Sequence, residues 1–205
     1  RMNPAAMDSD DLSPRRRPAR DANAVIPTGV LAMLMFVACE IMFFAGLISA
    51  RFVASATQAG WPPPGQPRLP IGTTAFNSLI LLGSGVALYA AQRALSQGGG
   101  GWRVVLSRLR LAIGLGGLFL LFQGAEWARL LHYGLTLQSS AYGSFFYLII
   151  GAHAVHVMAA LLVMALVYRG LARGRIPVSR FWAAQVFWYF VVGLWPVLYV
   201  LVYLV

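Results

Sequence analysis

Five long apolar runs, parted by short polar connections, restrict this chain more than anything else in its sequence. They cover about 28–53, 71–94, 109–135, 142–168 and 181–204. Each is long enough to cross a hydrocarbon core of about 30 Å as a helix. A backbone in lipid has to satisfy its hydrogen bonds internally, and runs of this length do so as α-helices. The expected fold is therefore all-α: a polytopic membrane protein with five transmembrane helices in a bundle over residues 27–205. A polar, Arg- and Pro-rich tail, disordered or lying on the surface, is expected over 1–26. Hydrophobic residues make up 59% of the chain and charged ones 11%, at a mean hydropathy of +0.70, which excludes an ordinary soluble domain. The first apolar run is too long for the core of a secretory signal and lacks a cleavage site, so no such signal is expected.

The net charge of +10 invites a nucleic-acid reading until the arginines are placed. Arg15, Arg16, Arg17 and Arg20 precede the first run. Arg93, Arg103, Arg108 and Arg110 surround the second connection, and Arg169, Arg173, Arg175 and Arg180 the fourth. Arg51, Arg68 and Arg129 alone lie toward the other side. This asymmetry predicts a cytoplasmic N-terminus and an outside C-terminus. The charge then serves topology and anionic headgroups, with Arg103, Arg108 and Arg173 the candidates for phospholipid contact, and excludes nucleic acid as partner.

The connections and small residues support the bundle. Prolines from Pro62 to Pro70 make a semi-rigid loop, with Trp61 suited to a membrane interface. Ser96–Gly101 reads as a flexible turn; it lacks the Lys-Ser/Thr and strand context of a phosphate cradle. Gly83-Ser84-Gly85 and Gly114-Leu115-Gly116-Gly117 let helices approach closely. The one cysteine, Cys39, falls in an apolar run and is expected to be a buried packing thiol, with no disulfide available.

Against this apolar background stand Glu40, Gln123, Glu126, His153 and His156. A charged group at mid-membrane costs roughly 2.5–3.5 kcal/mol on insertion scales, so such groups face a protein interior and take partners. Gln123 and Glu126 share one helix face, as do His153 and His156. Folding the third and fourth runs into a hairpin sets Glu126 opposite Gly151, which predicts a Glu126–His153 contact, with Arg129 competing for the carboxylate. The partner of Glu40 is not placed by sequence. Three readings stay open: a metal site, proton carriage by Glu40 or Glu126, and interhelical hydrogen bonds that fix packing. The spacing departs from the paired Glu-x-x-His of di-iron bundles, and no nucleophile–base pair stands out, so neither a metal ligand nor a catalytic residue is assigned.

Glu40-Ile-Met-Phe-Phe-Ala-Gly46, Gln123-Gly-Ala-Glu126-Trp127, Ser140-Ala-Tyr142-Gly143-Ser144 and Gly151-Ala-His153-Ala-Val-His156-Val157 together resemble subunit III of haem-copper terminal oxidases, in that family's order and spacing. The likeness covers nearly all of 27–205, and the Trp61-Pro62-Pro63-Pro64 loop is similar to the bacterial cytochrome c oxidase branch. It implies a bundle split by a lipid-filled cleft, in the five-helix form, in the bacterial inner membrane. It also implies an accessory role in aerobic respiration. Haem and copper belong to subunits I and II, while subunit III binds subunit I, holds phospholipid, and protects proton uptake and turnover; membership of a larger supercomplex stays open. By motif, Glu40 matches the family's intramembrane carboxylate, and Glu126, His153 and His156 its buried polar set. The last helix departs: the family's Trp-His-Phe-Val-Asp is here Trp188-Tyr189-Phe190-Val191-Val192, so roles resting on that His and Asp do not carry over. A quinol oxidase or nitric oxide reductase subunit remains an alternative. A stand-alone transporter is the rival of another class, disfavoured because no internal repeat is evident.

Overall fold

A computed structural model describes residues 28–58, 60–63, 69–96, 101–175 and 177–204. Helices α1 (Thr28–Ala56), α2 (Ile71–Ser96), α3 (Trp102–His132), α4 (Ala141–Ala172) and α5 (Val178–Leu198) follow in order. A π-helical segment, Tyr199–Leu204, extends α5. All five spans are long and apolar enough to cross a membrane. The expectations for the tail at 1–26, the glycine turn at 97–100 and the proline loop at 64–68 lie outside the described residues.

The ends of the helices differ from expectation for local reasons. Helix α3 begins at Trp102 rather than near 109, because its arginine-bearing first turns remain helical beyond the apolar run. Arg108 ties that part to α2, its Nη1 donating to the Ala90 carbonyl at 2.7 Å. The same helix stops at His132 rather than 135. Gly134 takes φ +87°, and the amides of Gly134 and Leu135 turn back to the carbonyls of Leu131 and Leu130. This pair of bonds is a Schellman closure, which needs the left-handed conformation glycine adopts freely. Helix α4 opens on Ser140, whose side chain accepts from the Gly143 amide at 3.1 Å. Inside α5, Pro196 offers no N–H, and the π-helical segment begins shortly after it.

Helix α2 packs mainly on α3 and α4 on α5, while α1 lies against α4 and α5. Helix α5 also touches α2, and its Trp188 and Trp195 are fully buried. Close approach is decisive at particular glycines. A Cβ on Gly116 would stand 2.4 Å from Trp188 Cη2, and one on Gly85 3.1 Å from Val192 Cγ1. Gly114 and Gly117 would meet nothing within 4 Å, so only part of the glycine run admits a neighbour.

Helix α1 is the least enclosed: Phe44 and Arg51 are its only buried residues. Cys39, expected to be a buried packing thiol, is exposed, because α1 turns most of its surface away from the bundle. Arg51, at the end of α1, is buried with its guanidinium 5.4 Å from the Phe52 ring centroid and 5.5 Å from that of Trp61. Trp61 in turn meets Tyr142 edge-on and so packs against the start of α4.

Candidate functional site

The polar residues singled out by sequence fall into two separate groups. The expected Glu126–His153 contact is absent. Trp127, the next residue along α3, does reach α4: its Cη2 lies 3.8 Å from where a Gly151 Cβ would be. One residue is a rotation of about 100° around a helix, however, and it turns Glu126 from α4 toward α2.

On α2, Glu126 Oε2 is 2.9 Å from Thr74 Oγ1, which is also 2.9 Å from the Pro70 carbonyl. The hydroxyl has one proton for these two acceptors. It serves an ionised Glu126 directly, whereas a protonated Glu126 donates to Oγ1 and frees that proton for Pro70. One turn along, Asn77 Nδ2 donates to the Phe119 carbonyl at 3.1 Å and approaches Gln123 Oε1 at 3.4 Å. Gln123 Nε2 reaches the Tyr203 hydroxyl at 3.0 Å, tying α3 to the π-helical end of α5. Trp195 Nε1 donates to Ser78 Oγ at 2.7 Å. Apart from the half-buried Thr74–Pro70 bond, these bonds are buried, and they join α2, α3 and α5 at one end of the bundle.

The second group is Glu40 and His156, which bring α1 onto α4. His156 Nε2 is 2.9 Å from Glu40 Oε2, and the two side chains are 16% and 17% exposed. His156 Nδ1 lies 2.7 Å from the Ala152 carbonyl, an acceptor only, so Nδ1 carries a proton. A single further proton is then shared between Nε2 and Oε2. Imidazolium with carboxylate, or neutral imidazole with carboxylic acid, both satisfy the geometry, and both are net neutral. That neutrality is how two ionisable groups avoid the cost of an isolated charge in a membrane. Phe44 meets His156 edge-on at 5.3 Å and covers the pair from α1.

His153 belongs to neither hydrogen-bonded group. It is 1% exposed, stacked on Trp195 at 5.0 Å with a 29° interplanar angle, and neither ring nitrogen has a partner among the described residues. Among the described residues, no three His, Cys, Asp or Glu side chains converge as metal ligands would.

Sequence reasoning passed over Thr74, Asn77 and Ser78, and with them Tyr203. The signal was there: Thr74, Asn77, Ser78, Leu81, Ser84, Gly85 and Leu88 form one stripe at helical spacing, all buried. At the positions where α5 departs from the family pattern, Tyr189 donates to Gln92 Oε1 at 3.2 Å, and Val192 packs beside Gly85. Of the headgroup candidates, Arg103 and Arg173 are exposed, while Arg108 is partly engaged by Ala90.

A family model described as cytochrome c oxidase subunit III matches residues 19–205. Among relatives, cytochrome c oxidase subunit 3 of Corynebacterium diphtheriae is 31% identical over 214 residues, covering 100% of both chains. Cytochrome c oxidase subunit 3 of Synechocystis is 29% identical over 85% of this chain and 75% of its own length. A probable cytochrome c oxidase subunit 3 of Mycobacterium leprae is 32% identical over 84% and 85%.

Proposed function

The chain belongs to the cytochrome c oxidase subunit III family and is an accessory, multi-pass membrane subunit of such an oxidase; from that premise we propose that it stabilises the catalytic subunit and sustains its turnover rather than taking part in oxygen reduction. The observation that carries this reading is the Glu40–His156 pair. It holds one proton between two side chains already satisfied by each other, and it joins α1 to α4. A group that relays protons obligatorily has to exchange them with a chain of further partners. Here His156 Nδ1 is held by a backbone carbonyl, and Glu40 meets no other side chain by hydrogen bond among the described residues.

In this reading the haem and copper of the oxidase lie in subunits I and II, subunit I is the main contact, and phospholipid fills the space the bundle leaves. The arginine asymmetry supports a cytoplasmic N-terminus in a bacterial inner membrane, with Arg103, Arg108 and Arg173 near headgroups.

The test is Glu40→Gln in the assembled oxidase. Glutamine keeps the shape and donates to His156 Nε2 without a titratable proton. The initial oxygen-reduction rate is expected to stay within about twofold of wild type, with the defect appearing as weaker subunit retention or earlier inactivation during turnover. Immediate loss of nearly all activity in a fully assembled complex would mean that Glu40 carries obligatory protons.

A further inference from the structure

On the last two turns of α2, at the end of the bundle where α3 begins, opens a cavity of about 410 Å³. Among the described residues its lining is Tyr89, Gln92, Arg93 and Ser96, with no aliphatic side chain. Gln92 is the fixed point. Its Oε1 accepts from the Tyr189 hydroxyl at 3.2 Å and from Gln185 Nε2 at 3.3 Å, both on α5. Gln185 is 2% exposed, so this anchor lies inside the protein. With its oxygen held by α5, the amide keeps two N–H groups on Nε2 that no described residue accepts.

The neighbouring groups define what fits. Arg93, in the last turn of α2, is exposed and makes no ion pair among the described residues. Glu40 is taken by His156 and Glu126 by Thr74, so neither neutralises it. Tyr89 is 55% exposed and presents a ring face with a free hydroxyl. Ser96 Oγ gives its proton to the Gln92 carbonyl at 3.1 Å and keeps lone pairs for a ligand hydroxyl. A guanidinium beside an amide –NH2 matches an anion with several acceptor oxygens, and phosphate has that form. The volume is that of a small-molecule site. A lining without aliphatic residues offers acyl chains no surface, so the complementary molecule is soluble throughout.

We propose that this cavity binds a soluble phosphate-bearing molecule of the nucleotide or sugar-phosphate kind. Arg93 and the Gln92 amide donate to the phosphate, while Ser96 and Tyr89 meet the hydroxyl-bearing remainder. Tyr189 and Gln185 act behind the site, holding the amide with its N–H groups free. Because they belong to α5, an occupied site ties the end of α2 to α5. The site stands or falls without the accessory role proposed above.

Equilibrium dialysis of the assembled oxidase in detergent at low ionic strength tests it, with radiolabelled ATP as probe and inorganic phosphate as competitor. Wild type is expected to bind ATP saturably and to release it to excess phosphate. Arg93→Gln should weaken binding about tenfold, the factor that one charge-assisted hydrogen bond supplies. Arg173→Gln removes the same charge elsewhere and should leave binding intact. Tyr189→Phe changes no charge but loosens the Gln92 amide, and should weaken binding about threefold, as loss of a neutral hydrogen bond does. Ser96→Trp fills the cavity from an exposed position and should abolish binding with Arg93 in place, so it serves even if Arg93→Gln fails to assemble. The proposal is overturned by a wild type that binds neither ATP nor phosphate, by binding that survives Arg93→Gln or Ser96→Trp, or by an equal loss in Arg173→Gln. It is equally overturned if phosphatidylglycerol added to the micelles displaces ATP while inorganic phosphate does not, since the occupant would then be a lipid headgroup.

Discussion

Replacing Gly116 by alanine tests whether the bundle is held by close approach at single positions. The added Cβ would lie 2.4 Å from Trp188 Cη2, 2.7 Å from Cζ2 and 3.0 Å from Leu161 Cδ2. Carbon atoms in contact sit at about 3.5–4.0 Å, so the indole has to move by about 1 Å. Trp188 is 0% exposed, in the centre of the packed core, and has nowhere free to go. Overpacking of this kind costs about 1–3 kcal/mol, and a rigid, enclosed ring places Gly116→Ala near 2 kcal/mol. Gly117→Ala is the internal control, since its Cβ meets nothing within 4 Å. Relief of glycine's helix penalty should make it neutral or stabilising by up to about 1 kcal/mol. The measurement is unfolding of the purified chain in mixed micelles by added dodecyl sulfate, followed by circular dichroism. Trp188→Phe in the Gly116→Ala background should recover part of the loss, because it removes the atoms in conflict. Equal stability of Gly116→Ala and Gly117→Ala, to within about 0.5 kcal/mol, would refute the reasoning.

Three further outcomes follow from local geometry. Ser140→Ala removes the side-chain acceptor for the Gly143 amide and should destabilise the chain by about 1 kcal/mol in the same micelle assay. Gly143→Ala sets a Cβ 2.5 Å from the Thr136 backbone oxygen, which cannot swing away as a side chain can, so its loss should be at least that of Gly116→Ala, roughly 2 kcal/mol or more. In the oxidase, His156→Phe leaves Glu40 without its partner; subunit III should dissociate at lower detergent concentration than with Glu40→Gln, which keeps the hydrogen bond.

How much of this was legible in sequence depends on what each feature needs. The five helices follow from length and hydropathy alone, because lipid admits no other backbone solution for such runs. That α3 and α4 pair as a hairpin was also within reach: the two helices pack together, and Trp127 reaches Gly151. The partner of Glu126 was not, because depth in a membrane is set by counting residues whereas facing is set by rotation. In a helix hydrophobic on all sides, apolar periodicity gives no rotational mark. The polar stripe Thr74, Asn77, Ser78 was such a mark, and weighing it would have turned Glu126 toward α2. Glu40 had no stripe to read from. Its partner follows from α1 resting on α4 and α5 rather than on its neighbour in sequence.

Helix α1 shows why a membrane subunit keeps an ionisable pair that apolar residues would seem to replace. Leu31, Met35, Ile41, Met42 and Val53 lie exposed around it, as suited to lipid as to protein. No hydrophobic force distinguishes one rotation of such a helix from another, since acyl chains solvate it equally well. Glu40, Phe44 and Arg51, at i, i+4 and i+11, do lie on one face, and that face meets the bundle. Turning α1 by a quarter leaves Glu40 in hydrocarbon at roughly 2.5–3.5 kcal/mol and breaks its bond to His156. The pair therefore contributes modestly to affinity between helices and strongly to their orientation. It penalises the wrong faces rather than adding much to the right one, a use of buried polar groups attested where register has to be unique.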